Sequence, residues 1–425
     1  MIVRFKRFTR IQILKRIGRD LLERFLHRFE PEIRGQGVPL PEPGLDDAAY
    51  FPALGRLLAA PDQLPARLNE ALFAIDELSC PEGQEQLELA LARIGLEIAF
   101  TPASSREDMV LELWLTQPEL VARVHNQQRL RRLTTFEHFS TSLAPAKRPP
   151  FSPPTQATLR ALGASLDPWF ARHQRGHNTT RIELCSLGPQ GSNAGCQKNA
   201  AALAQSGPGE PETDAGQQLE AEAEFCFVVR HGDSFARTPK VEAQQTEILH
   251  FRPERDDVIV YSSGHDELRI NARTKGERDL YVRMFGLHLR GREDYFSSRH
   301  TYTLEPLRLA GRESLEPASD GDIAKIVLRQ IEIAWDNPLL GRTIREADDI
   351  FAGQAERAAL AHVLPGSGRI ARAAFDVHFH HSRRPRPVQI RLPNILKVGR
   401  HCDAQSVDRW LCRRGFRLNR NTDPY

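Results

Sequence analysis

The chain is 425 residues long, 40% hydrophobic and 27% charged, with a formal net charge of +3. That composition supports a sizeable core and two or three domains, and it excludes collagen, coiled-coil and wholly disordered chains. No run of about 18 apolar residues occurs, so no spanning helix is predicted and no membrane partner is expected.

The small net charge hides an uneven distribution. Residues 1–34 carry ten Lys and Arg against four Asp and Glu, and residues 372–420 carry twelve against three, so two basic ends flank an acidic middle. Basic ends suit a polyanion partner; an ordinary solvated surface is the plain alternative. Only eight of the 58 basic residues are lysines. A GC-rich bacterial genome writes such a chain, and each arginine brings a fork that matches phosphate. Six cysteines without a CxxC pair or a secretory signal predict a reducing cytoplasm rather than a disulfide scaffold. The Arg-rich start resembles an organelle transit peptide but contains no serine and reads on as a helix, so it is taken as part of the fold.

Apolar residues at helical spacing predict one helix from Thr9 to Phe29, ended by Pro31 and a Gly/Pro linker to Pro43. Further helices are predicted from Pro65, over Gln84–Phe100, and from Pro118 to about Leu133. Five prolines between Pro145 and Pro154 mark a break, followed by two short helices between Thr155 and His173. From Ser186 to Leu219 the composition lacks large apolar side chains and predicts a loop. Strands follow at Glu224–Arg230, Glu247–Phe251, Asp257–Tyr261 and Glu267–Ala272, the last two forming a hairpin through Ser263-Gly264. Lys275–Leu289 reads as a helix, with Thr274 and Glu277 as its capping box. Ile323–Trp335 reads as a strand and Ile344–Leu360 as a helix. Ala373–Phe379 and Val388–Leu392 pair across a basic turn, and Ala404–Arg414 closes the chain as a helix. Without βαβ alternation the fold class is α+β: a helical N-terminal region, a central mixed region with short antiparallel strands, and a small hairpin-plus-helix unit. The expected divisions are 1–145, 146–220, 221–365 and 366–425.

The C-terminal unit carries the main functional expectation. Arg383, Arg384 and Arg386 lie on a stiff turn, and the following helix presents Arg409, Arg413 and Arg414 opposite a buried side of Val407, Trp410 and Leu411. Asp403 is its expected N-cap and Gly415 its C-terminal stop. A basic helix beside a basic hairpin suits phosphate contacts. A solvated charged face is the plain alternative. Arg129 and Arg132 share a helical face near Phe136 and Phe139, a second basic-aromatic patch. Core phenylalanines beside solvated arginines would explain it equally.

Two weaker constellations complete the reading. His173, His177, Cys185 and Cys196 supply the inventory of a structural zinc, with the histidines one helical turn apart, though the spacing matches no finger. Asp257 and Glu267-Leu268-Arg269 resemble the Asp…Glu-x-Lys pattern of a restriction-type magnesium nuclease, with arginine where lysine belongs. Arginine does not deprotonate to activate water, so a charged hairpin explains the same residues. No GxSxG, Walker, HExxH or GxGxxG motif occurs. The expectation is therefore a non-catalytic nucleic-acid-binding or adaptor component of a larger bacterial assembly, phosphate-dominated, with protein partners and no cofactor. The alternatives are the metal-dependent nuclease and a pure protein–protein scaffold.

Overall fold

The computed structural model describes residues 8, 10–42, 44–60, 63–96, 105–131, 133–149, 151, 153–185, 224–242, 245–317, 321–335, 341–352, 368–380, 382, 384–399 and 403–418. The fold is α+β, with twelve α-helices, a ten-stranded antiparallel sheet and a two-stranded ribbon among these residues. The chain forms two compact units, residues 1–130 and 131–425.

The first unit is helical. It comprises α1 (Ile11–Leu14), α2 (Arg19–His27), α3 (Glu30–Gly35), α4 (Asp47–Leu58), α5 (Ala66–Leu78), α6 (Pro81–Arg93), α7 (Arg106–Thr116) and α8 (Pro118–Arg131). The continuous helix expected from Thr9 to Phe29 is interrupted at Gly18, the N-cap of α2. Gly18 N–H donates to Asp108 Oδ1 at 2.8 Å, and Asp108 Oδ2 accepts from Ser105 N–H at 2.9 Å to close the capping box of α7. One carboxylate thus fixes two helix starts, which no local propensity records. Pro31 opens α3 rather than ending a helix, because its missing N–H costs nothing in a first turn. Leu14, Phe25, Leu54, Leu68, Ile75, Val110 and Val121 lie in this unit's core.

The second unit contains β1 (Thr135–Ser140), α9 (Gln156–Arg172), β2 (Arg181–Cys185), β3 (Glu224–Gly232), β4 (Ala236–Glu242), β5 (Gln245–Phe251), β6 (Glu254–Ser262) and β7 (Glu267–Asn271). It continues with α10 (Lys275–Arg290), α11 (Glu305–Leu309), β8 (Ile323–Ala334), β9 (Arg342–Glu346), β10 (Arg369–Phe379), β11 (Arg386–Arg391), β12 (Ile395–Val398) and α12 (Ala404–Arg413). The large sheet runs β2-β3-β6-β7-β1-β12-β11-β10-β8-β9, and β4-β5 is the ribbon. Strands from both the central and the C-terminal sequence segments therefore share one sheet. The helix expected over Ile344–Leu360 begins instead as β9, an edge strand paired with β8; residues 353–367 lie outside the description. The two short helices expected between Thr155 and His173 are one, α9, opened by a Thr155/Thr158 capping box.

Residues opposite one another across an antiparallel pair share a sheet face. Phe139, Leu268, Tyr261 and Phe225 therefore point one way, against Leu162, Phe170 and Phe285 of α9 and α10. Phe136, Leu396, Ile390 and Ala373 point the other way, and the second core lies there, with Phe375 and Val388 against Val407, Trp410 and Leu411 of α12. Each half of the sheet is covered on the opposite face. The changeover falls at β1.

Candidate functional site

The hairpin β10-β11 and helix α12 are tied together at their basic end. Arg386 Nε lies 3.3 Å from Asp403 Oδ2, and Arg386 is largely buried, so this arginine joins the start of β11 to the start of α12. Asp403 occupies the N-cap position as expected, but its side chain makes no cap hydrogen bond. Asp322, just before β8, accepts from Ser406 Oγ at 2.7 Å and pairs with Arg409 at 3.5 Å, while its carbonyl accepts from His380 N–H at 2.9 Å. Arg414 donates to the Glu316 carbonyl at 2.8 Å. Arg384 of the hairpin and Arg409 and Arg413 of the helix are exposed, with Gly415 at φ 72° ending the helix.

Of the six arginines expected to act together, Arg384, Arg409 and Arg413 are exposed, Arg409 beside Asp322; Arg386 and Arg414 are more buried against Asp403 and Glu316, and Arg383 lies outside the described residues. The Arg129 side chain and Arg132 also lie outside them. Of the aromatics near those two, Phe139 is core and Phe136 is half-buried on the opposite face of β1.

The open face of β10-β11-β12 adds cations that the motif reading passed over. Arg372 stands directly opposite Arg391, and exposed Lys397 stands opposite Gln389. Like charges directly opposed across strands are destabilising. Glu332 relieves Arg372, at 4.0 Å; Arg391 remains exposed. The available signal is the alternation Val388-Gln389-Ile390-Arg391, which turns Arg391 away from the buried face.

The two carboxylates of the nuclease reading do not come together. Asp257 pairs across from Val229 on the α10 side of the sheet, whereas Glu267 lies across from Ser262 on the α12 side, at the far end of the same hairpin. Asp257 Oδ2 accepts from Tyr281 Oη at 2.7 Å and lies 3.0 Å from His231 Nε2, while Arg255 holds Oδ1 at 3.0 Å. His231, Asp257 and Glu277 have ligand atoms within 4.8 Å of one another. His231 Nδ1, however, meets the Gly232 carbonyl at 2.8 Å, and Arg175 and Arg255 lie 3.2 and 3.6 Å from Glu277 Oε1. Two guanidinium groups already neutralise these carboxylates, so the cluster reads as a buried ion network.

Glu267 belongs to a second network. His138 Nδ1 lies 2.9 Å from its Oε1, and Arg417 donates to its Oε2 at 2.7 Å. Burial pushes the Glu267 carboxyl upward, but Arg417, then His138 and Arg269, overrule that and hold it well below the usual carboxylate range. Burial lowers the His138 imidazole, which leaves Arg417 as the cation of the pair. His138, Arg269, Val260, Leu396 and Asp408 line a narrow cleft between the sheet and α12.

The zinc reading meets a different geometry from the one expected. Helix α9 ends at Arg172, with Gln174 and Gly176 at positive φ, so His173 and His177 are not one helical turn apart. His173 stacks on Trp169 with ring centroids 3.7 Å apart, and its Nδ1 meets the Trp169 carbonyl at 2.8 Å. His177 is exposed, and the Cys185 side chain and Cys196 lie outside the described residues.

No protein-family profile matches the chain, and no curated protein matches it. Among the described residues no helix is long and apolar enough to cross a membrane.

Proposed function

We propose that the protein is a non-catalytic, cytoplasmic nucleic-acid-binding component of a larger assembly, contacting phosphates through the β10-β11 hairpin and α12. The observation that carries this reading is the contrast between two sets of arginines. Arg175, Arg255, Arg290 and Arg417 are matched to carboxylates inside the fold, whereas Arg384 of the hairpin and Arg409 and Arg413 of the helix are exposed, Arg409 beside the equally exposed Asp322. A cytoplasmic home accords with Cys80, Cys226 and Cys412, none of which is in a disulfide.

Phosphate contact releases condensed counterions, so affinity for duplex DNA or RNA falls steeply with salt. Replacing Arg384, Arg409 and Arg413 together with Ala is expected to weaken binding on every sequence alike. The log–log salt slope on duplex DNA should flatten by about 0.9 per lost contact. Sequence-independent loss is the expected pattern because the three replaced side chains are arginines placed for phosphate, while the exposed base-edge reader of α12, Gln405, is left in place. Undiminished affinity in the triple variant would assign the surface to an acidic protein partner instead.

A further inference from the structure

We infer that His265, Asp408 and Cys412 form a binding site for a divalent transition metal of the zinc class, joining the β6-β7 turn to α12. Asp408 and Cys412 are four residues apart on one face of α12. His265 reaches them from the turn between the two strands. Its Nε2 lies 3.6 Å from Asp408 Oδ2, Cys412 Sγ lies 4.0 Å from the same oxygen, and all three ligand atoms fall within 4.8 Å of one another. Bond lengths of about 2.0–2.3 Å in a tetrahedral zinc site place neighbouring nitrogen, oxygen and sulfur ligands about 3.3–3.5 Å apart. The two pairs that share Asp408 Oδ2 need to close by about 0.3–0.5 Å, and the His265–Cys412 pair by no more than about 1.3 Å.

The outer contacts are those such a site requires. Metal-bound histidines usually donate through their other ring nitrogen, which fixes the tautomer. His265 Nδ1 lies 3.4 Å from Ser262 Oγ, leaving Nε2 turned to Asp408. Asp408 is oriented through its other oxygen, Oδ1, by Arg417, which is itself anchored on buried Glu267.

The turn bearing His265 is held firmly. Its neighbour Asp266 sits at φ 48°, a left-handed conformation rarely taken by residues other than glycine. Buried donors hold it there: Arg290 at 2.8 Å, Tyr261 Oη at 3.0 Å and Tyr295 Oη at 2.5 Å. Backbone strain kept in place by such surroundings is a feature of ligand clamps.

The donor set selects the ion. One imidazole, one carboxylate and one thiolate suit zinc and its neighbours, whereas magnesium and calcium prefer oxygen throughout. The carboxylate and thiolate bring two negative charges to a dication, the Arg417 cation beside Asp408 being balanced by buried Glu267. His265 is 37% exposed and Cys412 is exposed, so a fourth position opens to solvent.

The test is titration of the full-length, reduced protein with Co²⁺, whose thiolate complexes absorb in the near ultraviolet, followed by competition with Zn²⁺. One equivalent of Co²⁺ producing that absorption, displaced by Zn²⁺, is the expected result. Cys412→Ser should abolish the absorption, and His265→Ala should weaken binding by at least ~10-fold, the lower bound seen for the loss of even an outer partner. Ser262→Ala should weaken it by about 10-fold with the absorption retained. Cys412 and His265 are not core residues, so unchanged circular dichroism should accompany both losses. Absence of thiolate absorption in the parent protein, or its survival undiminished in Cys412→Ser, would overturn the site.

Discussion

Glu267 shows how a single carboxylate acquires its role from distant parts of the chain. It sits 2% exposed on the α12 side of the sheet, between His138 of β1 and Arg417 beyond α12. Removing one member of such a buried pair leaves the other charge unsolvated, which typically costs 3–5 kcal/mol, roughly. Glu267→Gln is therefore expected to lower unfolding free energy by about that amount at pH 7, read by urea denaturation. The pH dependence follows from the depressed carboxyl. Below the unfolded glutamate value of about 4.3 the unfolded state takes up a proton that the folded state refuses, so folding weakens as pH falls. The gap between parent and variant should stay constant from pH 7 to about 5 and narrow only below about 4.3. A gap that closes between pH 7 and 5 would mean that Glu267 is not held in its ionised form.

At the scale of elements, what the sequence made legible was local chemistry. The capping box of α10 forms as read, with Thr274 N–H donating to Glu277 Oε2 at 2.8 Å and Glu277 N–H to Thr274 Oγ1 at 3.2 Å. The buried side of α12 and the pairing of β10 with β11 likewise follow from periodicity. Contacts distant in sequence were not legible. The break at Gly18 depends on Asp108, ninety residues away, and β1 is a strand because β7 and β12 flank it. The same limit hid the His265, Asp408 and Cys412 grouping: Asp408 and Cys412 are one helical turn apart, but His265 lies more than 140 residues earlier in the chain. Tight packing at α10 depends on a long-range approach too. A Cβ at Gly286 would lie 2.6 Å from the Arg292 carbonyl oxygen, closer than real contacts allow, and that oxygen belongs to backbone. Gly286→Ala should therefore destabilise by about 1–3 kcal/mol despite the better helix propensity of alanine. A stabilised variant in thermal denaturation would show that the loop after α10 yields freely.

For the whole molecule, the two basic ends of the sequence have different fates. In the first unit Arg19 pairs with Glu23 at 2.7 Å and Asp47 at 3.0 Å, Arg24 pairs with Glu112 at 3.1 Å, and Arg34 pairs with Glu30. These cations serve helix packing, so the surplus positive charge there is smaller than a residue count suggests. In the second unit Arg384, Arg391, Lys397, Arg409 and Arg413 are exposed. Each unit also closes its own core: α2, α4, α5 and α7 build the first, and the sheet with α9, α10 and α12 builds the others. A fragment spanning residues 131–425 is therefore expected to fold cooperatively by itself and to bind duplex DNA with nearly the salt slope of the full chain. Because the slope reports about 0.9 per phosphate neutralised, a change smaller than that means no contact was lost with residues 1–130. A slope flatter by two or more contacts would instead place part of the interface on the N-terminal arginines. In that case their ion pairs with Glu23, Asp47 and Glu112 must exchange for phosphate on binding.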